Sequence, residues 1–265
     1  MIMAIVVGGL HMKPIEIKGT KIGDGMPKIC VPIVGETKEE ILTQAKQVKN
    51  SCADLVEWRV DWYNECLDVK KITEVLASLR EELAQYPIIF TFRTKAEGGE
   101  KEICYEDYAK LLRDMACTKA MDFIDVEAFK DANVKSLIRE IQAQGIKVIG
   151  SNHDFAKTPE KEEIIRRLCY MQELGVDIPK IAVMPQSKED VCILLEATKE
   201  MALQYAKQPI VTMSMGELGL TSRIEGELYG SSMTFGTIGK ASAPGQIPAA
   251  EIKSMLEKIH YVEKE

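Results

Sequence analysis

One rhythm repeats along the 265-residue chain from Lys28 onward, and this rhythm restricts the fold more than any other feature. Short apolar runs rich in β-branched residues alternate with longer segments in which apolar residues recur at helical spacing. The short runs predict strands over 28–34, 53–60, 87–93, 121–127, 146–153, 179–184, 209–214 and 232–238. The longer segments predict helices near 37–50, 68–84, 105–119, 131–144, 159–173, 187–205, 219–228 and 248–260.

Eight strands that alternate with eight helices predict an α/β fold, a closed parallel (β/α)8 TIM barrel. A doubly wound open sheet is the alternative. It would be expected to carry a glycine-rich phosphate-binding turn after its first strand, where this chain reads IVGETKEE with a single glycine. The preceding segment IEIKGTKIGDG, residues 15–25, predicts a short N-terminal β-hairpin that closes the bottom of the barrel.

The chain shows no internal linker rich in Pro, Ser or Gly, so we expect residues 13–265 to form a single catalytic domain. Residues 1–12, MIMAIVVGGLHM, are expected to be a leftover of an expression vector. At two helix ends, Gly145 and Gly175 predict left-handed C′ residues. Thr158 and Pro159 predict the N-cap and the first residue of a helix.

Composition argues against several classes of partner. The net charge of −7 argues against a nucleic-acid-binding surface, and no segment is apolar for long enough to cross a membrane. Seven cysteines are scattered without a C-x-x-C pair, which is typical of a reducing compartment, so we expect a cytoplasmic protein. The three histidines, His11, His153 and His260, lie far apart in the sequence, so we expect no metal site.

Polar residues gather where the predicted strands end, and the functional groups of barrels lie at that end. For any one of them, a charged residue that merely follows a strand is an equal interpretation. Their joint occurrence predicts a site. The residues are Glu57, Arg59, Arg93, Asp125, Glu127, His153, Arg223 and Gln246.

The stretch DIPKIAVMP, residues 177–185, places Lys180 in an apolar strand, where an isolated ammonium group is costly. One interpretation is a lysine whose charged end reaches water at the strand edge. The other is a nucleophilic amine that burial and nearby arginines keep neutral. His153 ends the preceding strand, and neighbouring strands lie about 4.8 Å apart. We therefore expect the two side chains to meet inside the barrel mouth, which favours the nucleophile.

Six long motifs in this sequence resemble the type I 3-dehydroquinate dehydratase family, in order from about Lys28 to the C-terminus. They are EWRVDWY (57–63), FTFRTKAEGGE (90–100), SNHDFAKTP (151–159), DIPKIAVMP (177–185), TMSMGELGLTSRIEGELYGSSMTFG (212–236) and KASAPGQIP (240–248). The resemblance implies a hydro-lyase of the shikimate pathway that takes 3-dehydroquinate to 3-dehydroshikimate without a cofactor. It also implies a homodimer.

The same resemblance implies roles for individual residues. Lys180 would form a Schiff base with the substrate ketone, and His153 would act as general acid and base. Glu97 would orient His153, although its context KAEGGE also fits a solvated turn, and Glu100 or Glu102 are alternatives. The implied substrate-binding residues are Glu57, Arg59, Arg93, Met213, Arg223, Phe235, Ser242 and Gln246.

Within that set, Arg223 and Gln246 would hold the substrate carboxylate, and Glu57, Arg59 and Arg93 would contact its hydroxyls. Met213 and Phe235 would form apolar walls, or they are ordinary core residues. Residues 240–248 would form a lid, for which a flexible surface loop is the alternative. Pro32 departs from the family pattern, which has a small hydroxyl residue near this place in some members, so any contact from the first strand is left open.

Two other functions fit parts of the pattern. A class I Schiff-base aldolase or a transaldolase-like barrel also uses a barrel lysine, but it commonly requires a phosphate site after the seventh and eighth strands. A catalytically silent barrel that binds a small acid or a protein is the second alternative. It would require Lys180 and His153 to be structural.

Overall fold

The computed structural model describes residues 12–263, with side chains through residue 260, and it contains one eight-stranded parallel sheet. The expected vector leftover, residues 1–12, lies outside the described residues except for Met12. The sheet is formed by β3 (Lys28–Ile33), β4 (Leu55–Arg59), β5 (Ile88–Thr91), β6 (Phe123–Glu127), β7 (Lys147–Asp154), β8 (Ile178–Val183), β9 (Val211–Ser214) and β10 (Met233–Phe235). Strands β3 to β9 pair side by side in chain order, and β10 returns to pair with β3, so the predicted barrel is confirmed.

Helices follow the barrel strands and cover the outside of the sheet. They are α1 (Lys38–Lys49), α2 (Val69–Glu82), α3 (Tyr105–Thr118), α4 (Val134–Ala143), α5 (Lys161–Leu174), α6 (Lys188–Glu200), α7 (Leu220–Ile224), α8 (Gly226–Tyr229) and α9 (Ala249–Glu263). The helix predicted over 187–205 consists of α6, which ends at Glu200, and a π-helical turn that follows it, Met201–Tyr205. The helix predicted over 219–228 is two short helices that meet at Glu225.

The expected start of α5 is wrong, whereas the two predicted glycine ends are confirmed. The N-cap of α5 is Glu160, and Pro159 is buried ahead of the helix. The Thr158 hydroxyl caps nothing, because its buried oxygen has no hydrogen-bond partner in the described part of the chain. Gly145 and Gly175 have φ values of 85° and 91°, in the left-handed region where glycine is unstrained.

The predicted N-terminal hairpin is also present. Strands β1 (Ile15–Ile17) and β2 (Thr20–Ile22) pair antiparallel across Lys18 and Gly19. Both turn residues have positive φ, 50° and 80°, as a type I′ turn requires. Ile22 is fully buried and packs on the apolar lower end of the barrel interior, so the hairpin closes that end.

The barrel interior is layered because side chains in a strand alternate between its two faces. The lower inward layer is apolar and consists of Cys30, Leu55, Ile89, Phe123, Ile149, Ile178, Val211 and Met233. Two residues further along each strand, the inward positions are occupied by Pro32, Glu57, Thr91, Asp125, Ser151, Lys180, Met213 and Phe235. A polar layer therefore lies on an apolar floor, and Lys180 belongs to that layer. The first barrel strand, β3, supplies only Pro32 to this layer.

Gly150 lets β7 pack closely against the chain that leads into β8. A Cβ atom at this position would lie 2.5 Å from Cγ1 of the buried Val176, whose branched side chain cannot easily move. We expect Gly150→Ala to lower the free energy of unfolding by about 1–3 kcal/mol through overpacking. Urea denaturation measures the change.

Gly239→Ala is the matched control, because a Cβ atom there would meet nothing within 4 Å. The control should leave the unfolding midpoint close to that of the parent protein. Equal midpoints for the two variants would contradict the close packing of β7.

Candidate active site

A cavity opens at the carboxyl ends of the strands, and ten of the eleven predicted site residues line it. These ten are Lys180, His153, Glu97, Glu57, Arg59, Arg93, Met213, Phe235, Ser242 and Gln246. Its empty space, open mouth included, is about 450 Å³. Arg223 is the predicted residue that does not line the cavity.

Lys180 lies on the cavity wall with 4% of its surface exposed, so the interpretation as a lysine that reaches bulk water is wrong. Its Nζ lies 3.8 Å from Glu57 Oε1 and 3.7 Å from Asp125 Oδ2. It also lies 4.5 Å from the centre of the Phe235 ring. The sequence led us to expect arginines beside the amine, but two carboxylates lie beside it.

Glu97 is the carboxylate that contacts His153. It ends a 3-10 turn, Lys95–Glu97. Its Oε2 accepts a hydrogen bond from the backbone N–H of His153 at 3.0 Å and lies 2.9 Å from the ring Nδ1. Because Oε2 accepts hydrogen bonds from the backbone N–H and from the ring, the ring proton is assigned to Nδ1, and Nε2 is free to accept a proton.

The two alternatives for this carboxylate are wrong. Glu102 forms a surface ion pair with Lys95, and Glu100 is held through its backbone N–H by Asp61.

Phe155 holds the Glu97 turn from above, and sequence reasoning missed it. The turn ends at Gly98 with φ of 85°, and a Cβ atom at Gly98 would lie 2.2 Å from the Phe155 ring. Phe155 lines the cavity although 38% of its surface is exposed. The motif HDF, in which an aromatic residue follows the histidine at the strand end, was the available signal.

Burial and neighbouring charges set the protonation of the Glu97–His153 pair. Burial, together with the positive charges of Arg93, Lys180 and Arg59, lowers the pKa of His153 well below its ordinary value. Burial raises the pKa of Glu97 to about 8, against the opposing charge of Arg93. At neutral pH the dissociable proton of the pair is therefore on Glu97, and the imidazole of His153 is uncharged. This is the protonation state that a general base requires.

The guanidinium of Arg93 is surrounded by protein acceptors. Nη2 donates to Asp125 Oδ1 at 2.7 Å, and Nη1 donates to Ser151 Oγ at 3.0 Å. Nη1 also lies 3.2 Å from Glu127 Oε1 and 3.5 Å from Glu97 Oε2. Arg93 lines the cavity as predicted, but its terminal nitrogens bind three carboxylates of the protein. Arg93 follows β5, so its contacts link β5 with β6 and β7.

Arg59 is fixed by Asp61, which sequence reasoning did not select. Its Nε and Nη2 donate to the two oxygens of Asp61 at 2.8 Å and 2.7 Å, a bidentate pair. Asp61 is fully buried and also accepts the backbone N–H groups of Arg93 and Glu100, each at 3.2 Å. The spacing Arg-x-Asp directly after a strand was the signal for this pair.

Arg223 is buried behind Met213, with 2% of its surface exposed. Its Nη1 lies 3.9 Å from Met213 Sδ, and its Nη2 donates to the carbonyl of Pro244 at 3.0 Å. Within residues 12–263, its Nε has no hydrogen-bond partner and the salt bridges include no carboxylate for it. Burial lowers the pKa of Arg223 to about 10. Arg223 is therefore a desolvated cation without a counter-ion, next to the cavity wall.

Residues 240–248 contribute Ser242, Ala243 and Gln246 to the cavity wall and are attached at several points. Arg59 Nη1 donates to the Ser242 carbonyl at 3.2 Å. Lys240 Nζ lies 4.1 Å from the centre of the Trp62 ring. Gln246 and Ser242 bond each other, with the Gln246 Oε1 accepting the Ser242 N–H at 2.9 Å. The segment is thus held to the barrel by two arginines and one aromatic ring.

Among residues 12–263 there is no group of three or more His, Cys, Asp or Glu side chains arranged to hold a metal ion. In the same part of the chain, no helix has both the length and the apolar character that crossing a membrane requires.

Comparison with known proteins agrees with this geometry. The family model described as Type I 3-dehydroquinase matches residues 29–263. The 3-dehydroquinate dehydratase of Clostridium botulinum (strain Eklund 17B / Type B) is 52% identical over 247 residues, which cover 93% of this chain and 97% of the relative. The corresponding protein of Clostridioides difficile (strain 630) is 48% identical over 249 residues, 94% and 98% of the two chains.

A solved structure is equally similar. The crystal structure of type I 3-dehydroquinate dehydratase from Clostridium difficile, with covalently modified comenic acid, superposes with a TM-score of 0.92. It is 47% identical, and the match covers 95% of this chain and 100% of that one.

The shared proton of the Glu97–His153 pair predicts how stability depends on pH. In the unfolded chain Glu97 loses its proton near pH 4.3 and His153 near pH 6.5. The folded pair keeps one proton up to the pKa of Glu97, about 8. Between about pH 6.5 and 8 the folded state therefore binds one proton more than the unfolded state. Its stability should fall by about 2 kcal/mol as the pH rises through this interval.

Below pH 6.5 the pKa shifts of Glu97 and His153 cancel in their effect on stability. The folded state binds one proton on Glu97, and the unfolded chain also binds one, on His153. The Glu97→Gln variant lacks the titrating carboxyl and serves as the control. Urea unfolding of both proteins at pH 6.5 and pH 8.5 gives the difference. A difference between the two proteins that does not change with pH would show that Glu97 is ionised throughout.

Proposed function

Because the chain belongs to the type I 3-dehydroquinase family and is a 3-dehydroquinate dehydratase, a hydro-lyase, we propose that Lys180 forms a Schiff base with the ketone of 3-dehydroquinate. The observation that carries this assignment is a buried lysine amine on the wall of the cavity that also contains a neutral imidazole. The product is 3-dehydroshikimate, and water is released.

The first step joins the Lys180 nitrogen to the ketone carbon. The carbonyl oxygen takes up protons and leaves as water, and the nitrogen keeps one hydrogen and a positive charge. His153 Nε2 supplies and accepts protons in this step, because Glu97 holds the proton on the other ring nitrogen. The iminium formed is a stronger electron acceptor than the ketone, so the proton on the adjacent carbon becomes easier to remove.

The second step is the elimination. His153 takes the proton from the carbon next to the iminium, and the electron pair moves toward the nitrogen to give an enamine. The enamine electrons then expel the hydroxyl on the far side of that carbon, and His153 donates the proton that turns it into water. Hydrolysis of the new conjugated imine frees Lys180 and releases the product.

We assign the substrate carboxylate to Arg223, Gln246 and Ser242. Among the described side chains Arg223 is a buried cation without a counter-ion, and a carboxylate matches its planar fork. Its Nη2 binds the carbonyl of Pro244, in the same segment as Ser242 and Gln246. Because Arg223 lies behind Met213, this assignment requires Met213 or the 240–248 segment to move when substrate binds. Residues 240–248 then act as a lid.

The remaining side chains of the cavity fit the rest of the substrate ring. Glu57, Arg59 and Arg93 face the cavity with polar atoms, which suits the ring hydroxyls. Met213 and Phe235 are buried on the same wall and give the ring an apolar surface, so they act as more than core residues. The aldolase or transaldolase alternative is not favoured, because the family model and the curated relatives are those of dehydratases.

We also propose that residues 13–265 form one catalytic domain, which works as a homodimer in the cytoplasm. Membership of the family supports the homodimer. All seven cysteines of the sequence lie in the described part of the chain and are free thiols there, which is typical of proteins in a reducing compartment.

Borohydride reduction tests the Schiff base directly. With 3-dehydroquinate and borohydride, the intact protein should gain the mass of the reduced adduct, and the modification should map to Lys180. Lys180→Arg keeps the charge but has no attacking amine, so it should gain no mass and should lose activity in the ultraviolet assay of the conjugated product. Adduct formation on another residue would remove Lys180 from the mechanism.

Replacing Arg223 tests the carboxylate site. We expect Arg223→Ala to raise the Michaelis constant about 10- to 100-fold, the effect of losing charged hydrogen bonds, with a smaller effect on turnover. The methyl ester of the substrate has no carboxylate charge and is the matched control. The ester should bind wild type and variant equally weakly. If the ester discriminates between the two proteins as strongly as the acid does, Arg223 does not bind the carboxylate.

A further inference from the structure

We propose that Asp125 is a further catalytic residue, whose Oδ2 is the counter-ion of the protonated imine on Lys180. The inference rests on the Schiff base proposed above and deepens it, because it names the group that stabilises the charged intermediate. Neither the position of Asp125 in the sequence nor the substrate contacts require this role. It follows from the hydrogen bonds of its two oxygens.

The two carboxylate oxygens of Asp125 are in different situations. Oδ1 accepts hydrogen bonds from Arg93 Nη2 at 2.7 Å and from Ser151 Oγ at 2.6 Å. Oδ2 is buried and has no hydrogen-bond partner within residues 12–263. It lies 3.7 Å from Lys180 Nζ. A buried carboxylate oxygen without a donor is costly and needs a reason.

Asp125 is also fixed and ionised. The residue is 1% exposed and projects inward from β6. Burial alone would raise its pKa, but Arg93, Lys180 and the Ser151 hydroxyl hold the pKa below its ordinary value. The negative charge next to Nζ is therefore permanent and cannot swing away, because Oδ1 is bound at two points.

The imine needs such a charge. When the carbon–oxygen bond breaks, the nitrogen lone pair forms the C=N bond, and the nitrogen retains one N–H and a full positive charge. That single N–H needs one acceptor, and Oδ2 is an acceptor without another donor. Asp125 itself gains and loses no proton in this step. It stabilises the iminium by charge and by one charge-assisted hydrogen bond.

Glu57 is the other carboxylate near Nζ, but its position differs in two respects. Its Oε1 already accepts a hydrogen bond from the Thr91 hydroxyl at 2.9 Å. Glu57 lines the cavity, whereas Asp125 does not, so Asp125 reaches the reaction only through the lysine nitrogen. Replacing Asp125 should therefore change imine formation, and replacing Glu57 should change substrate binding as well.

The test compares Asp125→Asn with Glu127→Gln. Both carboxylates bind Arg93, but Lys180 lies within 4 Å of Asp125 and not of Glu127 in the described salt bridges. Each protein is mixed with 3-dehydroquinate and borohydride, and the rate of adduct formation is followed by intact mass. We expect Asp125→Asn to trap about 10- to 100-fold more slowly than Glu127→Gln, the loss of one charged hydrogen bond.

A second measurement separates binding from imine formation. The alcohol obtained by reducing the ketone of 3-dehydroquinate binds without forming an imine. Calorimetry should give it the same affinity for Asp125→Asn as for wild type, whereas Glu57→Gln should bind it more weakly. Equal trapping rates for Asp125→Asn and Glu127→Gln, or weak binding of the alcohol by Asp125→Asn, would overturn the inference.

Two further outcomes have a defined meaning. If wild type itself forms no adduct, the Schiff base is wrong, and the failure does not lie with Asp125. If Asp125→Asn does not fold, the Raman C=N band of the wild-type imine replaces the variant. A strongly hydrogen-bonded N–H gives a large downshift of this band in D₂O. A band that does not shift would overturn the role of Oδ2.

Discussion

The buried guanidinium of Arg93 is the group on which the site depends. It binds Asp125, Glu127 and Glu97, and each of these carboxylates has a second task. Asp125 faces the lysine amine, Glu127 holds the backbone N–H and hydroxyl of Thr94, and Glu97 orients the imidazole. Without this cation, three acidic side chains would lie together in a buried space, where their ionised forms would cost several kcal/mol. Arg93 therefore fixes the positions of other side chains around the cavity.

The layered interior explains how such a charged cluster is compatible with a stable barrel. The lower layer and the N-terminal hairpin supply an apolar floor, and water is excluded from below. Polar groups begin only two residues higher, where they can bond one another across neighbouring strands. The amine of Lys180 is therefore buried in the sense that bulk water is absent, yet it lies among charged partners. The apolar lower end of the barrel stabilises the fold, and the upper end carries the polar side chains of the cavity.

Much of this arrangement could be predicted from sequence, because hydrophobic periodicity fixes strands and helices, and the order of a barrel fixes which strands are neighbours. Lys180 and His153 followed from that order. The rest depends on tertiary contacts: two carboxylates lie beside Lys180 where arginines were expected, and Arg223 lies behind the cavity wall. A step of two from the apolar residue Phe123 leads to Asp125, but only the packed barrel shows which of its oxygens is free.

The barrel wall has a seam. Seven neighbouring strand pairs are joined by hydrogen-bonded ladders, whereas in the described part of the chain β9 and β10 are joined by a single bridge, Ile210 with Ser231. The segment that carries Arg223 and residues 240–248 both adjoin this seam. Separation of β9 from β10 would leave the other seven strand pairs hydrogen-bonded. The amine of Lys180 and the imidazole of His153 lie on β8 and β7, whose ladders would stay intact. A movement between β9 and β10 is therefore mechanically separate from the positions of these two groups.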